Sequence, residues 1–277
     1  MEFQKISNEL IYSTVNINCT LENGEQTTGT GFFCNLEETE EGTLTVIVTN
    51  KHLIKDAVFG EIDFPVMNNE IEEFETISMD DFESHWILHP DDKIDLCVLP
   101  VAGYIEFDRF EKEKILLGFS PITLGYFPEY EELKGLGAIE DIIMIGYPDG
   151  LMDEVNLKPI VRKGITATSI NIDYEDKPEF LIDIACFEGS SGSPVLIYNQ
   201  GMWIGKEGNA MIGVRVMLLG VLYAGFDKNI EGELVKTEVK NLKIPKIKIP
   251  LNLGVVVKAE KILEFKEIIK KNVPNRV

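Results

Sequence analysis

The chain has 277 residues, of which 44% are hydrophobic and 26% charged, and its formal net charge is −21. That balance is ordinary for a globular protein, and no stretch approaches the ~18 unbroken apolar residues of a membrane span, so no membrane role is expected. The excess of acid would repel phosphates and argues against nucleic acid; spread over "NLEETEEG", "EIDFPVMNNEIEEFE" and "FPEYEELKG", it reads as solvated loops with a bias toward basic partners.

From the N-terminus, "MEFQKISNELIYSTVNINCT" alternates polar and apolar residues. It lacks the basic start and continuous apolar core of a signal peptide, so a cytoplasmic location is expected. Cys19, Cys34, Cys97 and Cys186 are widely spaced in apolar stretches and form no CxxC pair. Buried free thiols are expected rather than disulfides or a zinc site.

Short β-branched or aromatic runs then follow one another: "QTTGTGFFCN", "GTLTVIVTN", "DLCVLPV", "DIIMIGYP", "FLIDIA", "SPVLIYN", "MIGVRVMLLGVLYAG" and "NLGVVVKA". Bounded by turn residues, they have the spacing of strands in an all-β barrel or sandwich. The mixed stretch "DRFEKEKILLGFSPITLGYFPEYEELKGLGAIE" reads as a crossing between two β halves. The basic "NLKIPKIKIP" (Asn241 to Pro250) reads as a loop before the last strand, because proline cannot donate to a ladder. The clearest helix is "KAEKILEFKEIIKK", with Ile262, Leu263, Phe265, Ile268 and Ile269 on one face and "NVP" as its stop. Three parts are expected: residues 1–113, 114–257 and the helical 258–277.

The stretch "FEGSSGSPV" (Phe187 to Val195) is either a short Gly/Ser linker or a loop that presents a nucleophile. A serine hydroxyl needs a base, since it is almost wholly protonated at neutral pH. Of the three histidines, His52 ends the apolar run "VIVTNKHLI", where a side chain can emerge at a rim. His85 and His89 in "SHWILHP" could serve a metal were the segment helical, but its aromatic and branched residues and Pro90 favour an extended segment with packing or surface histidines. No metal or cofactor is expected. The base needs an acceptor that fixes its tautomer. Asp95 qualifies because it opens "DLCVLPV", on the edge of a strand.

Together these residues resemble the chymotrypsin-like (trypsin-like) serine peptidases, most closely the bacterial HtrA-type peptidase domains. "VTNKH" is similar to the family's histidine motif, "DLCVLPV" to its aspartate motif and "GSSGSP" to its serine motif. The separations, 95 − 52 = 43 and 191 − 95 = 96 residues, are close to the ~45 and ~93 of chymotrypsin-like enzymes. "GTGFF", "IGYPDG", "RKGITATS", "GVLYAG" and "KILEFKEIIKK" add weaker matches along most of the chain.

The resemblance implies two packed six-stranded antiparallel β-barrels with a C-terminal helix. It also implies a serine endopeptidase acting on protein or peptide substrates through His52, Asp95 and Ser191 and an acyl-enzyme. The backbone N–H groups of Gly189 and Ser191 would form the oxyanion hole. Ala185 would lie at the floor of the specificity pocket and Tyr223 to Gly225 along its wall, which favours a small or medium apolar residue over Lys or Arg. Two positions depart from the family: Ser190 replaces the aspartate that pairs with a cleaved N-terminus, and Ser193 replaces a glycine and could crowd the oxyanion loop. No PDZ module follows in the sequence. With that activation route in doubt, latency until an activating protein partner orders the loop is one expectation. A catalytically inactive binding module is the alternative.

Overall fold

A computed structural model describes residues 2–40, 42–68, 71–102, 104–105, 116–156, 158–205, 208–230 and 247–272. The chain opens with a helix, α1 (Glu2–Ile11), where the sequence suggests only alternation. Ile6 and Leu10, one helical turn apart, pack into the core, and Leu10 is 3% exposed. The spacing of four places them on one face, a period that a reading by alternation passes over.

The N-terminal sheet contains β1 (Thr14–Leu21), β2 (Gln26–Thr39), β3 (Gly42–Thr49), β4 (Ala57–Asn68), β5 (Ile71–Asp80), β6 (Ile87–Leu88), β7 (Cys97–Pro100) and β8 (Leu116–Leu117). Its order is β5-β4-β1-β2-β3-β7-β6, with β8 paired to β4. The C-terminal strands are β9 (Asp141–Gly146), β10 (Ile160–Thr166), β11 (Glu179–Asp183), β12 (Pro194–Ile204), β13 (Ala210–Ile230) and β14 (Ile247–Lys258). They close into a six-stranded barrel in the order β10-β11-β14-β13-β12-β9.

The mostly-β, two-part antiparallel architecture is thus the one the sequence implies, with a difference in the first half. Among the described residues seven of its strands form an open path, with β8 off it, rather than a closed six-stranded barrel. The physical reason lies at the path's ends: among the described residues β5 pairs only with β4 and the two-residue β6 only with β7. The positions on either side of the expected 113/114 division, and Val273 and Pro274 of the "NVP" stop, lie outside the described residues.

Of the expected 241–250 loop, residues 247–250 are strand instead, pairing with the far end of β13. Pro250 sits opposite Asp227, where the register shifts, and such a bulge tolerates the missing N–H. The C-terminal helix is divided into α4 (Glu260–Leu263) and α5 (Phe265–Asn272). Between them Glu264 keeps right-handed helical angles (φ −62°, ψ −26°). A short helix α2 (Lys51–Ile54) follows β3, and α3 (Tyr130–Lys134) lies on the crossing.

One hydrophobic cluster joins the two halves. Phe32, Val46 and Val48 of the first sheet meet Ile145, Leu196, Leu218 and Val257 of the barrel, and Ile262 and Phe265 from the C-terminal helices complete it. Burial of that many aliphatic and aromatic side chains is the main force holding the halves in register, at ~25 cal/mol per Å² of apolar surface.

Candidate active site

His52 is carried on α2 immediately after β3, so a core strand anchors the backbone while the imidazole stays 47% exposed. Asp95 lies between Ile94 and Leu96, which are 2% and 0% exposed. With both neighbours anchored in the core, the Asp95 side chain remains 22% exposed. It meets His52 twice: the ring Nδ1 lies 2.5 Å from Oδ2, and the backbone N–H of His52 donates to Oδ1 at 3.1 Å. Asn50, fully buried, donates through Nδ2 to the Asp95 carbonyl at 2.7 Å. Thus Asn50 of "VTNKH" ties the two loops together, a role that residue type alone does not reveal. With Nδ1 directed at the carboxylate, Nε2 is the ring nitrogen left to exchange a proton with another group.

Ser191 stands in a loop whose turns depend on glycine. Gly189 and Gly192 have φ of +77° and +86°, the left-handed region that a side chain disfavours. The surroundings leave no room either, since a Cβ on Gly192 would lie 1.8 Å from the Thr30 carbonyl oxygen and one on Gly189 2.5 Å from that of Tyr147. The Glu188 carbonyl accepts the Asp149 N–H at 2.6 Å. In a trans peptide C=O and N–H point in opposite directions, so the Gly189 N–H is turned away from the Tyr147–Gly150 turn. Among the described residues neither the Gly189 nor the Ser191 N–H donates to a protein acceptor. The hydroxyl of Ser191 makes a long contact, 3.5 Å, to the Tyr223 carbonyl. No hydrogen bond joins it to His52 among the described residues.

Both departures from the family have structural explanations. Ser190, 1% exposed, braces the turn from within: its N–H donates to the Phe187 carbonyl and its Oγ accepts the Phe187 N–H at 3.3 Å. Ser193 is fully buried, and its Oγ fills the space above Gly146, where a Cβ would lie 2.1 Å away. That hydroxyl has no hydrogen-bond partner among the described residues.

Beside Ser191 is a cavity of about 380 Å³ lined by Cys186, Phe187, Leu222, Tyr223, Ala224, Gly225 and Pro250, with Asp149 and Glu188 also on its wall. Tyr223 and Gly225 both line this cavity. Ala185 does not line the cavity; its carbonyl is bound by the Arg162 guanidinium at 2.9 Å, which also stacks over the Phe187 ring. Burial pushes the Cys186 thiol up to about 11 although Arg162 draws it down, so this sulfur stays protonated at neutral pH and is a poor nucleophile. Burial, then the buried Glu179 carboxylate that its hydroxyl bonds, raises the Tyr223 phenol, with Asp95 adding to the shift. Tyr223 is thus a neutral wall beside the His52–Asp95 pair.

The remaining candidates are engaged elsewhere. His85 bonds the Tyr104 hydroxyl and the Asp80 carbonyl, each at 2.9 Å. His89, 4% exposed, reaches Glu264 at 3.1 Å and packs on Phe265. All four cysteines are buried and unpaired with one another. Among the described residues no cluster of three His, Cys, Asp or Glu side chains could hold a metal ion, and no helix is long and apolar enough to cross a membrane.

Comparison with known proteins adds a family and a fold. Residues 29–205 match the family described as trypsin-like peptidase domain. Among solved structures, the chain is similar to the HtrA-type protease AlgW with tripeptide, at 18% identity and a TM-score of 0.51, covering 98% of this chain and 64% of that one. Two others are the serine endoprotease from Yersinia pestis (17% identity, 98% and 68% coverage, TM-score 0.48) and the active form of the Rv3671c protease from M. tuberculosis (14%, 94% and 81%, TM-score 0.48). At these identities the likeness to AlgW speaks for the fold alone. No curated protein sequence matches the chain.

Proposed function

Because the chain belongs to the trypsin-like peptidase family, we propose that it is a serine endopeptidase in which Ser191 is the nucleophile, His52 the general base and Asp95 the group that orients the base. The observation that carries this proposal is the two-point contact between His52 and Asp95, which commits Nδ1 to the carboxylate and leaves Nε2 for the serine proton. As Oγ of Ser191 attacks a peptide carbonyl, His52 takes its proton and then delivers it to the leaving amine. An ester to Ser191 remains. Water deprotonated by the same imidazole cleaves that ester, and the proton returns to Oγ. The N–H groups of Gly189 and Ser191 bind the developing oxyanion; losing one such donor costs about 10² to 10³ in rate.

The substrate is a protein or peptide, with its cleaved residue in the cavity bounded by Tyr223 and Gly225. A small or medium apolar side chain suits the apolar part of that wall. The resting arrangement of Ser191 supports latency, since its hydroxyl contacts the Tyr223 carbonyl at 3.5 Å and makes no hydrogen bond to His52 among the described residues. Substrate or an activating protein partner would order the loop and bring the hydroxyl to His52, as in other order–disorder switches. High caseinolytic activity of the isolated protein would contradict dependence on a protein partner and leave substrate as the only trigger.

Cleavage of a peptide library tests the function. The wild type is expected to cut, and Ser191→Ala and His52→Ala to be inactive while remaining folded. Activity should also fall on acidification, because a protonated imidazole cannot accept the serine proton. Residual cleavage by Ser191→Ala equal to wild type would remove the nucleophile assignment. A folded wild type that binds peptides without cutting any would favour an inactive binding module.

A further inference from the structure

Thr30, on β2, is fully buried between the two halves and uses every polar atom it has. Its N–H donates to the Ser191 carbonyl at 2.9 Å, and its hydroxyl donates to the Gly189 carbonyl at 3.0 Å. The same hydroxyl accepts the Tyr147 N–H at 3.0 Å, and the Thr30 carbonyl accepts the Thr49 hydroxyl at 2.7 Å. One donated and one accepted bond is a consistent assignment for a hydroxyl. Two glycines make the approach possible: a Cβ at Gly146 would lie 2.6 Å from the Thr30 hydroxyl, and one at Gly192 1.8 Å from its carbonyl.

These contacts link the two segments on which the oxyanion loop depends. Tyr147 begins the turn whose Asp149 N–H holds the Glu188 carbonyl, and Gly189 follows Glu188 directly. Thr30 therefore fixes the peptide on one side of Gly189 through its hydroxyl and the peptide on the other side through Tyr147. Thr49 in turn precedes Asn50, which holds Asp95. Resting on the assignment of Ser191 as nucleophile, we propose that the Thr30 hydroxyl is a positioning group for the oxyanion hole, aligning the Gly189 N–H while touching neither substrate nor base.

A hydroxyl in this role should affect the rate of the chemical step more than the binding of a ligand. Valine keeps the shape of threonine and removes the bond, whereas serine keeps the bond and removes a methyl group. Inactivation by a fluorophosphonate, whose phosphoryl oxygen occupies the oxyanion position, gives a maximal rate and a half-saturating concentration without knowledge of the natural substrate. Thr30→Val is expected to lower the maximal rate by about 10²-fold, the loss typical of misplacement by an ångström. The half-saturating concentration should move by less than about threefold, and Thr30→Ser should stay within about threefold of wild type in both. The pH dependence should keep its shape, since the His52–Asp95 pair is untouched.

A folded Thr30→Val with the wild-type rate would overturn the proposal, as would a folded Thr30→Ser impaired as severely as valine. If Thr30→Val does not fold, the Ser and Ala variants give the same comparison, with serine expected to react about 10²-fold faster than alanine and equal rates contradicting the role. Failure of the nucleophile assignment looks different: the folded wild type would then form no adduct at Ser191, which overturns both.

Discussion

In the N-terminal half His52, on α2, and Asp95, on a loop, meet through the Asp95 carboxylate, whereas the C-terminal barrel presents Ser191 through backbone turned by glycines. The first arrangement depends on which residues are present, and a change there removes a chemical group but leaves the fold. The second depends on which atoms are missing, since Gly189 and Gly192 serve by having no Cβ. Chemical and structural damage should therefore separate between the halves.

Asp95→Asn is the sharpest change on the side-chain half. An amide cannot hold the imidazole in the required tautomer, so kcat should fall by about 10⁴-fold with little loss of stability. Steady-state kinetics on a cleavable peptide, with a thermal melt as control, checks this. Gly192→Ala belongs to the other half. Its Cβ would meet the Thr30 carbonyl at φ +86°, and the combined overpacking and left-handed strain should cost about 2–5 kcal/mol. Denaturant unfolding would measure it, and an unperturbed midpoint would break the contrast between the halves.

A smaller effect is expected where the two halves meet the C-terminal helices. Burial would raise the Glu264 carboxyl, but the Lys261 ammonium and His89 that bond it more than offset this and hold it below its ordinary value. A depressed carboxylate contributes stability above its unfolded value and loses it as pH falls through the folded one. Acid should thus loosen α4 and α5, with Glu264→Gln reducing the pH dependence of unfolding; an unchanged profile would remove Glu264 from this role. The smallest effect concerns Ser193, whose buried hydroxyl has no partner among the described residues. Ser193→Ala should be neutral or stabilising by about 1 kcal/mol, and a loss of more than that in a thermal melt would mean the hydroxyl is bonded.

Much of the candidate site was legible because its proposed chemistry resides in residue types. His52, Asp95 and Ser191 stand in ordered motifs, and the structure brings the first two into contact and Ser191 to the wall beside them. What the sequence hid is what depends on distant backbone. Thr30 looks like any strand threonine until Gly189, Ser191 and Tyr147 fold against it. Nothing in the type of Asn50 shows that its amide holds the Asp95 carbonyl. The inward direction of Ser193 could have been suspected only by pairing it with Gly146, since the space it fills is made by the missing side chain of another strand. In the fold, helix α1 and the strand character of 247–250 escaped notice because polar residues blur the helical period in one and prolines suggest a loop in the other.

The central claim is that Ser191 is a nucleophile served by His52. Fluorophosphonate treatment of the folded protein, followed by mass mapping of the modified peptide, tests it directly. The account predicts a single covalent adduct on Ser191, absent in Ser191→Ala and strongly slowed in His52→Ala. A folded wild type that remains unmodified, or an adduct on another residue that persists in Ser191→Ala, would contradict it.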